Sequence, residues 1–173
     1  MANDDRPHGF LSVASMVGRP GYFRNYTKAA GYATAVGFND LVVNVAAGID
    51  IEQAAAGGAF LGISYANSAA STAATHPVEL LGRDNVCEGQ EDSDTSDLVA
   101  ASTGLKADII VAARNATTGL SQMEIDSSSA ATTATLDAFL LRLAPYVDNE
   151  TGNFSRWFVN FHDLAIAEAQ AGI

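Results

Sequence analysis

Ser64 is the residue whose neighbours come nearest to the setting of a catalytic nucleophile. It lies in the middle of Gly62-Ile63-Ser64-Tyr65-Ala66, which follows the Gly-x-Ser-x-Gly nucleophile elbow except at the last position. The final glycine allows the sharp strand-to-helix turn that exposes the serine hydroxyl. Ala66 stands in its place, and the residues after it do not predict a helix. The pattern therefore favours an ordinary serine on a sheet face, with a small serine hydrolase as an alternative.

The three histidines of the chain are poorly spaced for metal chemistry. They are His8, His76 and His162, and none has a His or Cys two to four residues away. Zinc sites commonly use such close pairs of ligands. The sequence also contains no GxxxxGK[ST] or GxGxxG pattern, so no phosphate-binding loop is indicated. We therefore expect no catalytic residues, no metal and no cofactor.

An acidic run covers residues 84–97, and part of it begins like a calcium loop. The relevant stretch is Asp92-Ser93-Asp94-Thr95-Ser96-Asp97. An EF-hand loop needs glycine at its sixth position and glutamate at its twelfth, where this chain has Asp97 and Thr103. We expect a solvated surface loop, with an adventitious cation as the alternative.

The charge of the chain excludes several classes of partner. Twenty acidic and nine basic residues give a net charge of −11. Nucleic acids and anionic membranes are bound through Lys and Arg, so direct contact with either is not expected. No apolar stretch approaches the roughly eighteen residues of a membrane span, and the N-terminus does not resemble a signal peptide. The single cysteine, Cys87, excludes an internal disulfide and predicts assembly in a reducing cytoplasm.

The elements that would position any site are predicted to be short strands. β-branched and aromatic residues gather in runs separated by Gly, Asn, Ser and Thr, which is typical of strands joined by turns. About seven or eight such runs predict a mainly β chain with a single-domain β-sandwich or jelly-roll-like fold. The predicted core consists of Leu41, Val43, Phe60, Ile63, Ile109, Val111, Leu141, Trp157 and Val159.

One segment, residues 136–143, fits two kinds of secondary structure. Leu136, Phe139, Leu140 and Leu143 have helical spacing, whereas alternate residues from Phe139 to Leu143 fit a strand. Pro145 ends the element in either case. Sequence alone leaves both alternatives open.

Residues 1–28 are predicted to form an extended N-terminal arm, and residues 29–173 the β-sandwich domain. Arg6-Pro7 and Arg19-Pro20-Gly21 oppose both helix and interior strand. The segment nevertheless carries large apolar side chains that a solvated tail would not need. We expect them to be buried on a partner, with folding back onto the chain's own domain as the alternative.

Several stretches, distributed over most of the chain, together carry a resemblance to one family of proteins. The first is Ala2-Asn3-Asp4-Asp5-Arg6-Pro7-His8-Gly9-Phe10, and the second is Tyr32-Ala33-Thr34-Ala35-Val36-Gly37-Phe38-Asn39-Asp40-Leu41-Val42. The third is Val147-Asp148-Asn149-Glu150-Thr151-Gly152-Asn153, followed by Trp157-Phe158-Val159-Asn160-Phe161-His162. Together they resemble the head decoration, or capsid cement, proteins of tailed bacteriophages.

The resemblance implies a non-enzymatic structural protein on the exterior of a virion, bound to the major capsid protein. It also implies a homotrimer that clamps neighbouring capsid subunits with help from the N-terminal arm. The candidate partner-binding residues are Arg6, Phe10, Arg19, Tyr22, Phe23, Arg24 and Tyr26. The aromatic residues would be buried anchors, and the arginines would pair with capsid carboxylates. Another virion component, a head-completion or tail protein, is the alternative.

Overall fold

The short β-prone runs of the sequence form the strands of the protein. A computed structural model describes residues 3–18, 21–45, 50–94 and 96–165. Within them the strands are β1 (Leu11–Ser15), β2 (Tyr22–Lys28), β3 (Leu41–Asn44), β4 (Ile51–Gln53), β5 (Gly62–Ser64), β6 (Ala74–Leu80), β7 (Asn85–Gln90), β8 (Lys106–Ala107), β9 (Ile109–Ile110), β10 (Glu124–Ile125), β11 (Ala138–Leu143) and β12 (Arg156–Phe161). Single-turn 3-10 helices lie at Ala100–Ser102 and Ser127–Ser129.

The strands form two five-stranded antiparallel sheets. The first has the order β1-β7-β12-β11-β8 and the second the order β2-β6-β5-β3-β4, while β9 and β10 pair separately. The largest apolar cluster takes Trp157 and Val159 from the first sheet, and Leu41 and Ile63 from the second. The core therefore lies between the sheets. The prediction of a mainly β chain with a β-sandwich fold is confirmed.

Most of the predicted core residues are buried in this interior. Six of them are 3% exposed or less: Leu41, Phe60, Ile63, Ile109, Trp157 and Val159. Val43 and Val111 are half-buried and pack against the same cluster. Strand alternation explains this result, because every second side chain of a strand points to the same face.

The ambiguous segment contains strand β11, so the helical alternative for residues 136–143 is wrong. The predicted inward residue is also wrong, since Leu140 is completely buried and Leu141 only half-buried. The pairing of β11 with β12 shifts register between Leu140 and Arg142. A displacement of one residue moves side chains to the other face of a sheet, which places Ala138 and Leu140 in the core instead.

The outer face of the second sheet carries its own apolar cluster. Its buried members are Tyr26, Val36, Val42, Ile51, Leu61 and Val78. The loops before β3 and before β6 lie together, since Val36 N donates to Ser68 O at 3.0 Å and Ser68 N donates to Val36 O at 2.8 Å. This pairing creates a layer of loop outside the sheet, and that layer positions the polar groups described below.

The segment predicted as an arm contributes one strand to each sheet. β1 pairs with β7 of the first sheet, and β2 pairs with β6 of the second. The ring of Phe10 packs edge-on against Phe161, with centroids 5.1 Å apart. Gly89 makes room for it, since a Cβ there would lie 2.4 Å from the Phe10 ring. The segment is extended but paired, and a separate role for residues 1–28 as an arm on a partner stays a prediction.

Candidate functional site

A buried polar cluster on the outer face of the second sheet joins Ser64 to His76 and Ser68. Ser64 Oγ lies 2.8 Å from His76 Nδ1, and Ser68 Oγ lies 3.0 Å from His76 Nε2. The Ser64 hydroxyl also lies 3.0 Å from Ala66 O. In the neutral ring one nitrogen donates to a serine oxygen and the other accepts from a serine hydroxyl. We call these three residues the Ser–His cluster.

The Ser–His cluster lacks two requirements of a catalytic site. Ser64 and His76 are both 0% exposed, so a substrate has no access to the hydroxyl. The second partner of the ring is a serine, whereas a catalytic histidine is usually oriented by a carboxylate. Burial and the charge of Lys28 both lower the pKa of His76, which favours the neutral ring. The arrangement is suited to joining β5, β6 and the intervening loop by hydrogen bonds.

Lys28 supports the same layer from the end of β2. It is 0% exposed, and its ammonium donates to Ala69 O at 3.1 Å, Thr72 O at 3.3 Å and Tyr32 O at 3.4 Å. Burial lowers its pKa. Three carbonyl acceptors satisfy the three protons of the ammonium, so this side chain ties two loops to the sheet.

Among the described residues, one acidic cluster has three carboxylates close enough together to bind a single cation. Carboxylate oxygens of Asp92, Asp94 and Asp126 lie within 4.8 Å of one another. Ser127 Oγ donates to Asp92 at 2.8 Å and to Asp94 at 3.2 Å. The sequence indicated residues 92–97 but missed Asp126, which arrives through the bridge between Glu91 and Ile125. Such clusters also occur on protein surfaces without a cation.

Two neighbouring carboxyl groups have strongly raised pKa values. Burial, together with the charges of Asp97 and Asp92, raises the pKa of Glu91 to about 7. Burial also raises the pKa of Glu124 to about 7, with smaller contributions from Asp5, Asp92 and Glu91. Raised carboxyl pKa values are common in active sites. Here Glu91 is 0% exposed, so its position is structural.

Apolar side chains are concentrated on the outside of the molecule where β1 and β2 run. Eight large apolar residues among those described are exposed, and five of them lie between residues 13 and 23. We define the β1–β2 surface as these five residues plus Arg24. They are Val13, Met16, Val17, Tyr22 and Phe23, with exposures from 40% to 67%. By strand alternation Tyr22 and Arg24 lie on one face of β2 and Phe23 on the other, so a partner could contact either face of this edge.

The aromatic residues of the β1–β2 surface are held by contacts beneath them. The Phe23 ring packs edge-on against Tyr65 at 5.3 Å between centroids, and Tyr65 packs in the same way against Phe38 at 5.5 Å. Tyr65 OH donates to Glu79 at 2.8 Å, and Glu79 is only 5% exposed. Because its support is fixed, Phe23 can be buried by a partner without much loss of side-chain freedom.

The β1–β2 surface belongs to the part of the sequence that has no acidic residue. Residues 6–39 contain no Asp or Glu, although the chain has 20 of them. Four of the nine basic residues, Arg6, Arg19, Arg24 and Lys28, lie in this stretch. Arg24 is exposed and its guanidinium lies 5.5 Å from the centroid of the Tyr26 ring. In the fold, carboxylates from other segments lie beside this stretch, since Asp84 accepts from Ser15 Oγ at 2.7 Å and Glu79 lies opposite Phe23.

The predicted partner-binding residues divide into surface and interior positions. Tyr22, Phe23 and Arg24 are exposed on β2, and Arg6 is exposed beside Asp4 at 3.1 Å. Phe10 and Tyr26 are 0% and 5% exposed. These two belong to the chain's own interior, so they are not available as anchors for a partner. Arg19 lies outside the described residues.

Sequence reasoning missed two residues of the β1–β2 surface and one contact of the Ser–His cluster. Met16 and Val17 lie on the β1–β2 surface but are absent from the predicted partner-binding residues. They follow β1 in a loop, and a loop residue gives no periodic signal of its exposure. His76 was not connected with Ser64, because their contact depends on the register of β5 against β6.

Comparison with protein-family models found no match, and comparison with curated proteins found no significant match. The resemblance to phage decoration proteins therefore stays a prediction. Among the described residues, no helix is both long and apolar enough to cross a membrane.

Proposed function

We propose that this protein is a non-enzymatic decoration protein that binds the outside of a phage capsid and stabilises contacts between major capsid subunits. The observation that carries the proposal is the β1–β2 surface, where five large apolar side chains are exposed on or next to two edge strands. The groups with catalytic potential, Ser64 and His76, are buried. Such a molecule offers contact area rather than a reactive centre.

The energetics of cementing fit a surface of this kind. Burial of one large aromatic or aliphatic side chain contributes about 1.5–3 kcal/mol, and a ligand that binds only the assembled shell stabilises it by mass action. Many copies on one shell multiply a modest contact. The acidic remainder of the molecule would keep decorated particles apart.

Attachment to capsids tests the proposal. Purified protein is mixed with undecorated capsids built from the major capsid protein of the same virus, and the particles are separated on a density gradient. We expect the protein to comigrate with the capsids at a fixed stoichiometry and to raise their melting temperature. A homotrimer in solution, which the proposal includes, is measured by analytical ultracentrifugation.

Two results would contradict the proposal. Failure of the protein to comigrate with intact capsids would exclude a decorating role. Assembly into closed rings that bind a portal or tail tube would instead favour the head-completion or tail alternative. A hydrolase would show ester hydrolysis that Ser64→Ala abolishes, so the same preparation is assayed with a small ester.

A further inference from the structure

Basic and aromatic side chains share the outer face of the first sheet. Trp157 and Val159 of β12 are buried in the core, so Phe158 between them points to the outside. Arg142 of β11 lies opposite Phe158 in the pairing of the two strands, and opposite residues of an antiparallel pair share a face. Arg142 and Phe158 therefore lie side by side on the outside of the sheet.

Stacking contacts hold these side chains in place. The guanidinium of Arg142 lies 5.3 Å from the centroid of the Phe158 ring, and that of Arg156 lies 4.5 Å from the centroid of the Tyr146 ring. The two rings pack edge-on, with centroids 6.3 Å apart. We call these four residues the Arg–aromatic surface. Arginine and tyrosine are common at the centres of protein interfaces, and side chains that are already ordered lose little freedom when a partner covers them.

The Arg142 guanidinium lacks a carboxylate partner among the described residues. Arg156 pairs with Asp148 at 2.7 Å, whereas no ion pair between described residues includes Arg142, which is exposed. Glu88 lies on the same face, but it is only 4% exposed and accepts a hydrogen bond from Tyr146. The Arg–aromatic surface thus offers an unpaired guanidinium beside two rings, and this combination favours a carboxylate from a partner.

Carboxylates that complement this surface are present on the chain itself. The acidic cluster brings oxygens of Asp92, Asp94 and Asp126 within 4.8 Å of one another, and no ion pair between described residues includes any of the three. Ser127 Oγ donates to Oδ1 of Asp92 and Asp94, and Ser128 Oγ donates to Oδ1 of Asp126. Because like charges repel at this distance, a guanidinium from another molecule would stabilise the cluster, and its fork of N–H donors matches carboxylate oxygens.

We propose that the Arg–aromatic surface of one copy binds the acidic cluster of a second copy, with the Arg142 guanidinium against Asp94 and its two neighbouring carboxylates. The two surfaces differ, so the contact is heterologous, and its repetition around an axis closes a ring of copies. The proposal rests on the function proposed above for the number of copies, which is three.

Charge complementarity selects a second copy of the chain as the occupant. The chain has 20 acidic and nine basic residues, so another copy offers a guanidinium many carboxylates and few competing cations. A symmetric contact between two Arg–aromatic surfaces would instead place guanidinium groups together, and like-charge contacts at an interface are unfavourable. The contact that remains joins the Arg–aromatic surface to the acidic cluster.

Reciprocal charge reversal tests this contact. Arg142→Glu and Asp94→Arg each place like charges together in the proposed interface, whereas the double variant restores an opposite-charge pair between positions 142 and 94. Both residues are exposed, so we expect the variants to fold, which circular dichroism and thermal unfolding check. Arg83→Glu is the matched control, because Arg83 is exposed and belongs to neither surface.

Sedimentation velocity over a range of protein concentrations measures the association. We expect the wild type and Arg83→Glu to form trimers at micromolar concentration, and each single variant to associate at least about tenfold more weakly. The double variant should associate at least about tenfold more tightly than either single variant. A monomeric wild type, unchanged trimers in both single variants, or no recovery in the double variant would overturn the proposal.

Capsid comigration separates this proposal from the decorating function. If charge reversal dissociates a wild-type trimer that does not comigrate with capsids, the contact between copies stands and the decorating function fails. If Arg142→Glu leaves the trimer intact and abolishes comigration, the capsid covers the Arg–aromatic surface and the proposal is wrong.

Discussion

The Ser–His cluster lies on the second sheet and the β1–β2 surface on an edge strand of each sheet, and the two regions differ in both reactivity and exposure. The cluster has a nucleophile and a base 2.8 Å apart, but both residues are 0% exposed. The surface has no nucleophile or base, but Tyr22 and Phe23 are 67% and 53% exposed. The residues with reactive side chains, Ser64 and His76, thus stabilise the fold. The exposed aromatic residues, Tyr22 and Phe23, are available to bind a partner.

This comparison predicts that the two regions respond differently to mutation. Changes in the Ser–His cluster should lower the free energy of unfolding and leave capsid binding by the folded protein unchanged. Changes on the β1–β2 surface should weaken capsid binding and leave unfolding nearly unchanged. The following predictions test that separation.

The largest effect is expected for Tyr22→Asp. Tyr22 is 67% exposed and lies opposite Leu80 in the β2–β6 pair, so the substitution removes an exposed aromatic anchor and adds a charge without facing a carboxylate across the pair. Loss of about 1.5–3 kcal/mol of burial corresponds to binding weaker by about tenfold to a hundredfold, measured by gradient comigration. The matched control is Val147→Asp, because Val147 is 98% exposed on the loop before β12. Equal losses in both variants would mean that the β1–β2 surface has no special role.

A smaller effect, on stability instead of binding, is expected for Ser64→Ala. The substitution removes the Ser64 hydroxyl, a hydrogen-bond partner of the buried His76 ring, at a cost of about 1–3 kcal/mol. Denaturant unfolding followed by tryptophan fluorescence measures the change, since Trp157 is buried. Ser128→Ala, on an exposed residue, is the control. Unchanged stability together with weaker capsid binding would reverse the proposed roles of the two regions.

The sequence predicts burial correctly where strand alternation alone determines which side chains point into the core. Trp157 and Val159 lie two residues apart in one strand, and both are completely buried. The prediction that Leu141 lies in the core is wrong, because the register shift next to Leu140 depends on the paired strand. Such a shift has no local signal in the sequence. The burial of Tyr26 has no local signal either, because it packs with Val36 and Ile51, which are its neighbours only after folding.

The sequence predicts only part of the candidate site, because the exposure of a residue depends on strand order as well as on residue type. Tyr22, Phe23 and Arg24 were identified from composition, as large apolar and basic residues in a segment with Pro and Gly. Their exposure, however, follows from the edge position of β2, which only the strand order establishes.

The smallest effect is expected from pH, and it concerns a region away from both sites. Glu91 has a folded-state pKa raised to about 7, so the folded state holds a proton that the unfolded state loses near pH 4.5. The contribution of this group to stability is therefore present below about pH 4.5, falls as pH rises to about 7, and stays low above it. Glu91→Gln should raise the free energy of unfolding at pH 8 by about 1–2 kcal/mol and have little effect at pH 4.5.

Thermal unfolding of the wild type and Glu91→Gln at several pH values measures this difference. Capsid binding at pH 8 should be equal for the two proteins, since Glu91 is outside the β1–β2 surface. A stability difference that grows as pH falls would have the wrong sign for a buried carboxyl with a raised pKa.

A cryo-electron microscopy reconstruction of the decorated capsid tests the central claim most directly. We expect density for this sandwich on the outer surface of the shell, with Tyr22 and Phe23 buried against the major capsid protein. Density for the chain inside the shell or in the tail, or a β1–β2 surface that faces solvent on the capsid exterior, would contradict the account.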